Sequence, residues 1–236
     1  MKHELYYFML KEKINRGDIM RVNDSEVINM FERAVSKFAG SKYGVAISSQ
    51  TNAVFLSLEL LKLKGLLKKG LVLEVPKYTY MSIPMTILNA GFKLKFRDEE
   101  WSGAYEIVNA ETKEGIGVWD SAVRFRKDMY VPNSLYCVSF QYRKALPIGR
   151  GGMVLTDNIE YHDLLKKLCF NGRTNGVSQK EDKYTIRGWN MYMCPENASR
   201  GLTLMTLVAD DKKDIASWKD YPDVSKQFTE VVMNEI

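Results

Sequence analysis

Two side chains and one turn are of types that can do chemistry together. Lys144 follows the apolar run Cys137-Val138-Ser139-Phe140, Asp120 closes Gly117-Val118-Trp119, and the turn Ser49-Gln50-Thr51-Asn52 leads straight into a helical stretch. A lysine amine forms an imine with an aldehyde. A carboxylate beside an aromatic ring nitrogen keeps that nitrogen protonated and makes the ring an electron sink. N–H groups at the start of a helix, with a hydroxyl such as that of Thr51, receive a phosphate. Ser139, on the loop of Lys144, adds another hydroxyl, and Tyr80 offers a flat face. Together these residues answer to a cofactor that carries an aldehyde, a ring nitrogen and a phosphate.

Each residue also has a plainer reading. A single lysine after a strand is by default a surface lysine, and Asp120 can cap a turn or a helix. Ser and Thr at strand-to-helix turns are common caps without any ligand. Tyr80 is open to reading as core, and Asn190 as a turn residue. Gly149, Gly151 and Gly152 read as turn glycines, because no Lys-Ser/Thr pair follows them.

The elements that must position these residues are legible from periodicity. Asn23 and Glu26 mark a helix start, and Val27, Ile28, Phe31, Ala34, Val35 and Phe38 recur at helical spacing up to Gly40. Short apolar runs at 44–47, 71–75, 92–96, 105–109, 116–119, 135–140 and 152–155 predict strands. Helices are expected at 53–63, about 80–89, 159–169 and 195–208, with a last helix after Pro222 and a polar loop at 171–182. Helices between short apolar strands predict an α/β fold: three layers, α/β/α, around a mixed, mostly parallel sheet. The expected division is an N-terminal segment 1–22, a large domain 23–210 and a helical tail 211–236.

Composition narrows the function classes. With 236 residues, 45% of them hydrophobic, the chain can bury a sizeable core. Its formal net charge of +5 comes from 34 basic and 29 acidic residues that are mostly interspersed, so nucleic acid is not the expected partner. The three cysteines form no CxxC pair, and His3 and His162 belong to no metal constellation, so neither disulfides nor a metal is expected. No signal peptide or membrane-spanning run is read, and a cytoplasmic location is expected.

The segments in their order resemble the DegT/StrS-type nucleotide-sugar aminotransferases, a fold-type-I pyridoxal-phosphate family. Phe31-Glu32 through Phe38-Ala39 and Val45-Ala46-Ile47-Ser48-Ser49 resemble its opening helix and first strand. Thr51 falls at its phosphate-cup threonine, and Val75-Pro76-Lys77-Tyr78-Thr79-Tyr80 resembles its Pro-x-Tyr-Thr-aromatic motif. Trp119-Asp120-Ser121-Ala122 is similar to its Glu-Asp-Ala-Ala. Ser139-Phe140 with Lys144-Ala145-Leu146, then Gly151-Gly152-Met153-Val154-Leu155-Thr156, is similar to its lysine loop and glycine turn. Asn171-Gly172-Arg173 and Gly188-Trp189-Asn190 resemble two further signatures.

The resemblance implies pyridoxal 5′-phosphate as cofactor, with Lys144 as its Schiff-base lysine and Asp120 at its ring nitrogen. Ser49, Thr51, Asn52 and Ser139 fall around its phosphate and Tyr80 on its ring. Asn190 falls at a residue that reaches the phosphate in the neighbouring subunit, which implies a homodimer with a shared site. The implied reaction takes an amino group from glutamate to a keto sugar nucleotide. A histidine stands in place of the lysine in the family's dehydratase branch, so Lys144 favours transamination. The alternative is a reduced homologue that binds the cofactor or a partner without turnover.

Departures from the pattern are equally specific. Gln50 stands where the family has glycine, Val123 where it has glutamine, and Tyr192 where it usually has arginine. Few residues separate Phe96 from Trp119, so a strand or its covering helix is expected to be missing there. The family's C-terminal small domain is expected to be absent.

Overall fold

The computed structural model describes residues 24–228. Helix α1 (Asp24–Ala39) leads to β1 (Tyr43–Ile47), α2 (Gln50–Leu63), β2 (Val72–Pro76), α3 (Ser82–Asn89) and β3 (Lys93–Arg97). Then come β4 (Tyr105–Asn109), β5 (Gly115–Ser121), β6 (Leu135–Ser139), β7 (Gly152–Thr156), α4 (Ile159–Leu168) and α5 (Pro195–Met205). Helix α1 ends at Gly40, whose φ of +87° reverses the chain in a conformation that side chains with a Cβ disfavour. Between residues 206 and 228 the chain makes two single 3₁₀ turns, Trp218–Asp220 and Val224–Lys226, where an α-helix after Pro222 was expected. The remainder of that expected helix, like His3, lies outside the described residues.

The seven strands form one sheet in the order β1-β7-β6-β5-β4-β2-β3. Only the pairs β2–β3 and β5–β6 are parallel. Following the pairings across the sheet, β7 and β4 run against the other five strands, so the sheet is mixed with one dominant direction. Strand alternation sorts the core into two faces. Val45, Ile47, Leu73, Val75, Val118, Cys137 and Val154 point to the face covered by α2, α3 and α4. Ala46, Tyr136, Val138, Met153 and Leu155 point to the face where Phe31 and Val35 of α1 and Ala198 of α5 lie. Helices α1 and α5 approach closely because Gly201 has no side chain: a Cβ there would sit 2.5 Å from the Phe31 ring.

The shortened stretch after Phe96 costs the sheet no strand. Strand β4 fills the slot between β2 and β5, running antiparallel to both. Among the described residues no helix covers one face of this end. There Glu74, buried on β2, binds Lys95 at 2.9 Å and Lys113 at 2.7 Å, and both lysines are exposed. Arg97 donates to the carbonyls of Glu74 and Glu106. A ladder of charges that water can reach does here what an apolar face under a helix does elsewhere in the sheet.

Candidate functional site

The pairings put the carboxyl ends of β1, β2, β5 and β6 on one edge, the edge at which α/β sheets receive ligands. The start of β7 reaches the same edge, where Gly152 pairs with both Ile47 and Ser139. Along this edge lies a cavity of about 530 Å³, within the size range of small-molecule sites. Ser49, Thr51, Tyr80, Asp120, Ser139 and Lys144 all line it.

Lys144 is held by a short loop. The Tyr142 N–H donates to the Gly149 carbonyl, the Lys144 N–H to Gln141, and the Ile148 N–H to Phe140. Ala145, Leu146 and Ile148 are buried beneath it, so the apolar residues anchor the loop and the lysine is left on the cavity side. Burial lowers the pKa of the Lys144 ammonium, and the charge of Asp120 partly opposes that effect.

Asp120 is the penultimate residue of β5, facing Cys137 of β6 and Tyr105 of β4 across the ladder. Its buried carboxylate accepts three hydrogen bonds. Gln50 Nε2 donates to Oδ1 at 2.8 Å, the Ala122 N–H to Oδ1 at 2.9 Å, and the Tyr105 hydroxyl to Oδ2 at 2.8 Å. Thr79 and Tyr105 hydroxyls lie 2.5 Å apart; since the Tyr105 proton is given to Asp120, Thr79 donates to Tyr105. Burial raises the Asp120 pKa above its ordinary value, while the Ala122 and Tyr105 bonds and the Lys144 charge pull it back. Burial, followed by the Asp120 charge, keeps Tyr105 protonated.

The turn at the start of α2 is capped by Ser49, whose Oγ accepts the Asn52 N–H at 3.1 Å. Helix N-termini leave their first N–H groups without intrahelical partners, so those of Gln50 and Thr51 are free for a ligand. Gly152 packs directly on this turn: a Cβ there would fall on the Gln50 nitrogen and 2.7 Å from its Cα. Gly152 thus lets β7 and this turn pack closely, and the Gln50 amide turns into Asp120. Ser139 is buried and takes the Gln141 N–H at a long 3.4 Å. Tyr80, 61% exposed, stands at the rim.

Two expected residues are placed elsewhere. Asn52 is absent from the cavity lining, and its side-chain amide donates to Ser48 Oγ at 2.8 Å, tying the turn together. Asn190 is exposed, outside the lining, and bridges Phe170 through its backbone. Val123 is buried and makes an apolar patch of the lining, and Tyr192 packs edge-on against Phe170. The sequence reading missed Tyr105, Thr79, Trp101 and Tyr221, all of which line the cavity. Only the pairing of β4 with β5 brings Tyr105 to Asp120, and no local pattern announces it. Among the described residues there is no cluster of His, Cys, Asp and Glu fit to hold a metal ion, and no helix long and apolar enough to cross a membrane.

Solved structures of low identity share the fold. The aminotransferase PseC of Helicobacter pylori, involved in pseudaminic acid biosynthesis, is 16% identical with a TM-score of 0.61, over 76% of this chain and 57% of its own. A mutant GDP-4-keto-6-deoxymannose-3-dehydratase (ColD) with bound GDP-perosamine is 19% identical with a TM-score of 0.64, over 77% and 60%. NtdA of Bacillus subtilis, with its cofactor PMP bound, is 18% identical with a TM-score of 0.57, over 76% and 47%. The chain therefore spans about half to three-fifths of the length of these structures. No curated protein matched. The sequence profile of the DegT/DnrJ/EryC1/StrS aminotransferase family matches residues 11–112 and 132–216, leaving the stretch with Asp120 unmatched. This profile covers most of the sequence: the chain belongs to the DegT/DnrJ/EryC1/StrS aminotransferase family.

Proposed function

We propose that this chain binds pyridoxal 5′-phosphate through Lys144 and Asp120 and transfers an amino group from glutamate to the keto group of a nucleotide-linked sugar, in the cytoplasm. The observation that carries the reading is the convergence of Lys144, Asp120, Tyr80, Ser139 and the Ser49–Thr51 turn on one cavity. The donor set fits the cofactor: a half-buried amine for the aldehyde, a buried acid for the ring nitrogen, helix N–H groups and hydroxyls for the phosphate, and an exposed aromatic face for the ring. When bound, the cofactor supplies an electron sink for negative charge developing beside an amine.

The chain's own part is to hold, orient and move protons. Lys144, whose ammonium form is disfavoured by burial, gives up its proton more readily than an ordinary lysine and can take it back. Asp120, held by Gln50, Ala122 and Tyr105, keeps one position against a ring N–H. Arg143 and Arg150 at the lining offer cations for a diphosphate. Asn190, exposed outside the cavity, is assigned to the phosphate of a second subunit in a homodimer.

A test is direct. The purified protein with pyridoxal 5′-phosphate is expected to show a visible absorption band, and borohydride should fix the cofactor to the peptide holding Lys144. Glutamate and a keto sugar nucleotide should then yield 2-oxoglutarate and the amino sugar. A colourless protein with no fixed adduct overturns the reading. A second reading, cofactor or partner binding without turnover, draws on the Gln50 amide already lodged on Asp120; an adduct with no transamination of any keto sugar would decide for it.

A further inference from the structure

The chain after α5 does more than trail across the surface. From Asp214 to Val224 it is tied along the cavity rim. Arg124 holds Asp214 through two nitrogens at 2.9 and 2.7 Å. The Ile215 N–H donates to Val123, the Ala216 carbonyl accepts from Gly103, the Trp218 N–H donates to Trp101, and the Val224 N–H to Lys77. Ser217 and Asp220 cap the turn between them reciprocally. The strap thus clasps residues 77–78, 101–103 and 123–124, each beside a residue that lines the cavity.

Within it stands Tyr221, itself part of the lining. Its ring leans on Trp101 with centroids 5.5 Å apart, and Trp101 leans on Tyr105, the partner of Asp120, at 5.1 Å. The Trp101 indole is fixed by donation to the Tyr78 carbonyl at 2.8 Å. An aromatic row therefore runs from the Asp120 partner to the strap. Burial, then the Asp120 charge, pushes the Tyr221 phenol up to about 12, and no hydrogen bond to a described residue engages its hydroxyl. It is a neutral O–H donor left over at the cavity wall. The residues matched to the family profile end at 216, short of this tyrosine.

We infer that the strap is a working wall of the site, and that Tyr221 is a ligand-binding residue whose ring flanks the flat cofactor and whose O–H donates to an oxygen of the bound ligand. This rests on the cofactor reading above and goes beyond it by adding a binding residue from outside the matched segments. It is tested by titrating wild type, Tyr221→Phe and Tyr221→Ala with pyridoxal 5′-phosphate, following the visible band and borohydride fixation at Lys144, with thermal melting of each apo protein alongside. Tyr221→Phe keeps the contact with Trp101, so its melting should match wild type while the cofactor binds about three- to tenfold more weakly, the loss of one neutral hydrogen bond. Tyr221→Ala should weaken binding further. If wild type forms the adduct and both variants bind as tightly, this inference falls and the cofactor reading stands. If Tyr221→Phe lowers melting but not affinity, the hydroxyl is structural and the inference also falls. No adduct in wild type overturns both.

Discussion

Asp120 carries the heaviest demand in this molecule, so Asp120→Asn and Asp120→Ala should behave very differently. The asparagine can keep a carbonyl oxygen on Gln50 and Ala122 and turn its NH₂ toward Tyr105. The Tyr105 hydroxyl then accepts that bond and donates to Thr79, so the Thr79–Tyr105 relay simply reverses. Loss of a buried charge offsets much of the loss of charge-assisted bonds, and Asp120→Asn should melt close to wild type. The alanine leaves the Gln50 amide and the Ala122 N–H without their acceptor, while Tyr105 can turn its hydroxyl to Thr79. At about 1 kcal/mol each, the low end because the cavity admits water, the cost is about 2 kcal/mol. For a chain of this size that is a fall of about 4–8 °C in Tm.

The pH dependence has a definite sign. Asp120 has a folded pKa raised above its ordinary 3.8, so its contribution to stability is full below 3.8 and lost as pH rises through the raised value. Asp120→Asn lacks that loss, so its Tm relative to wild type should improve from acid to neutral pH. Both variants should lose tight retention of pyridoxal 5′-phosphate, since neither presents an anion to the ring nitrogen. Thermal melts at pH 3.5 and 7 with cofactor absorbance titrations measure all of this. Equal melting of the two variants at both pH values would refute this account of Asp120.

Lys144→Met should abolish the borohydride-fixed adduct. It should leave the apo protein as stable or slightly more so at neutral pH, because a half-buried ammonium is removed; the gain should shrink as pH rises from the lowered folded pKa toward 10.5. Gly152→Ala should unseat the phosphate turn, because its Cβ meets Gln50 backbone that cannot swing aside. Melting should fall by the equivalent of about 1–3 kcal/mol, and cofactor affinity should fall with it. Gln50→Gly should keep the fold and leave Oδ1 of Asp120 with the Ala122 N–H alone, shifting the pH profile of the cofactor's visible band; an unchanged profile would mean the amide does not tune the acid. Glu32→Ala should destabilise by about 3 kcal/mol in thermal melts, since buried Glu32 accepts the Ala46 N–H at 2.8 Å and Lys166 at 2.9 Å on both oxygens.

Much of this was legible in the chain itself. Apolar spacing marked the helices that became α1 to α5 and the seven strands, because helix and strand periods are properties of neighbouring residues. The same spacing put Asp120 near a strand end and Lys144 and Thr51 just past one, and a dominant strand direction then brings such ends together. Up to residue 228 the tail forms 3₁₀ turns, because it is tied there by long-range bonds to Lys77, Trp101 and Val123, which outweigh local preference.

Strand order and register belong to the tertiary structure alone. Nothing local says that β4 inserts backwards between β2 and β5, yet that pairing delivers Tyr105 to Asp120, fills the slot of an expected missing strand and leaves the Glu74 ladder facing water. Nor does the sequence reveal that Gln50, a departure from the family's glycine, finds its acceptor 70 residues away, or that Tyr221 lines the same cavity. Residue types and their spacing decide which groups are available. Which of them meet is decided by contacts between distant segments, because hydrogen bonds and burial are satisfied in space rather than along the chain.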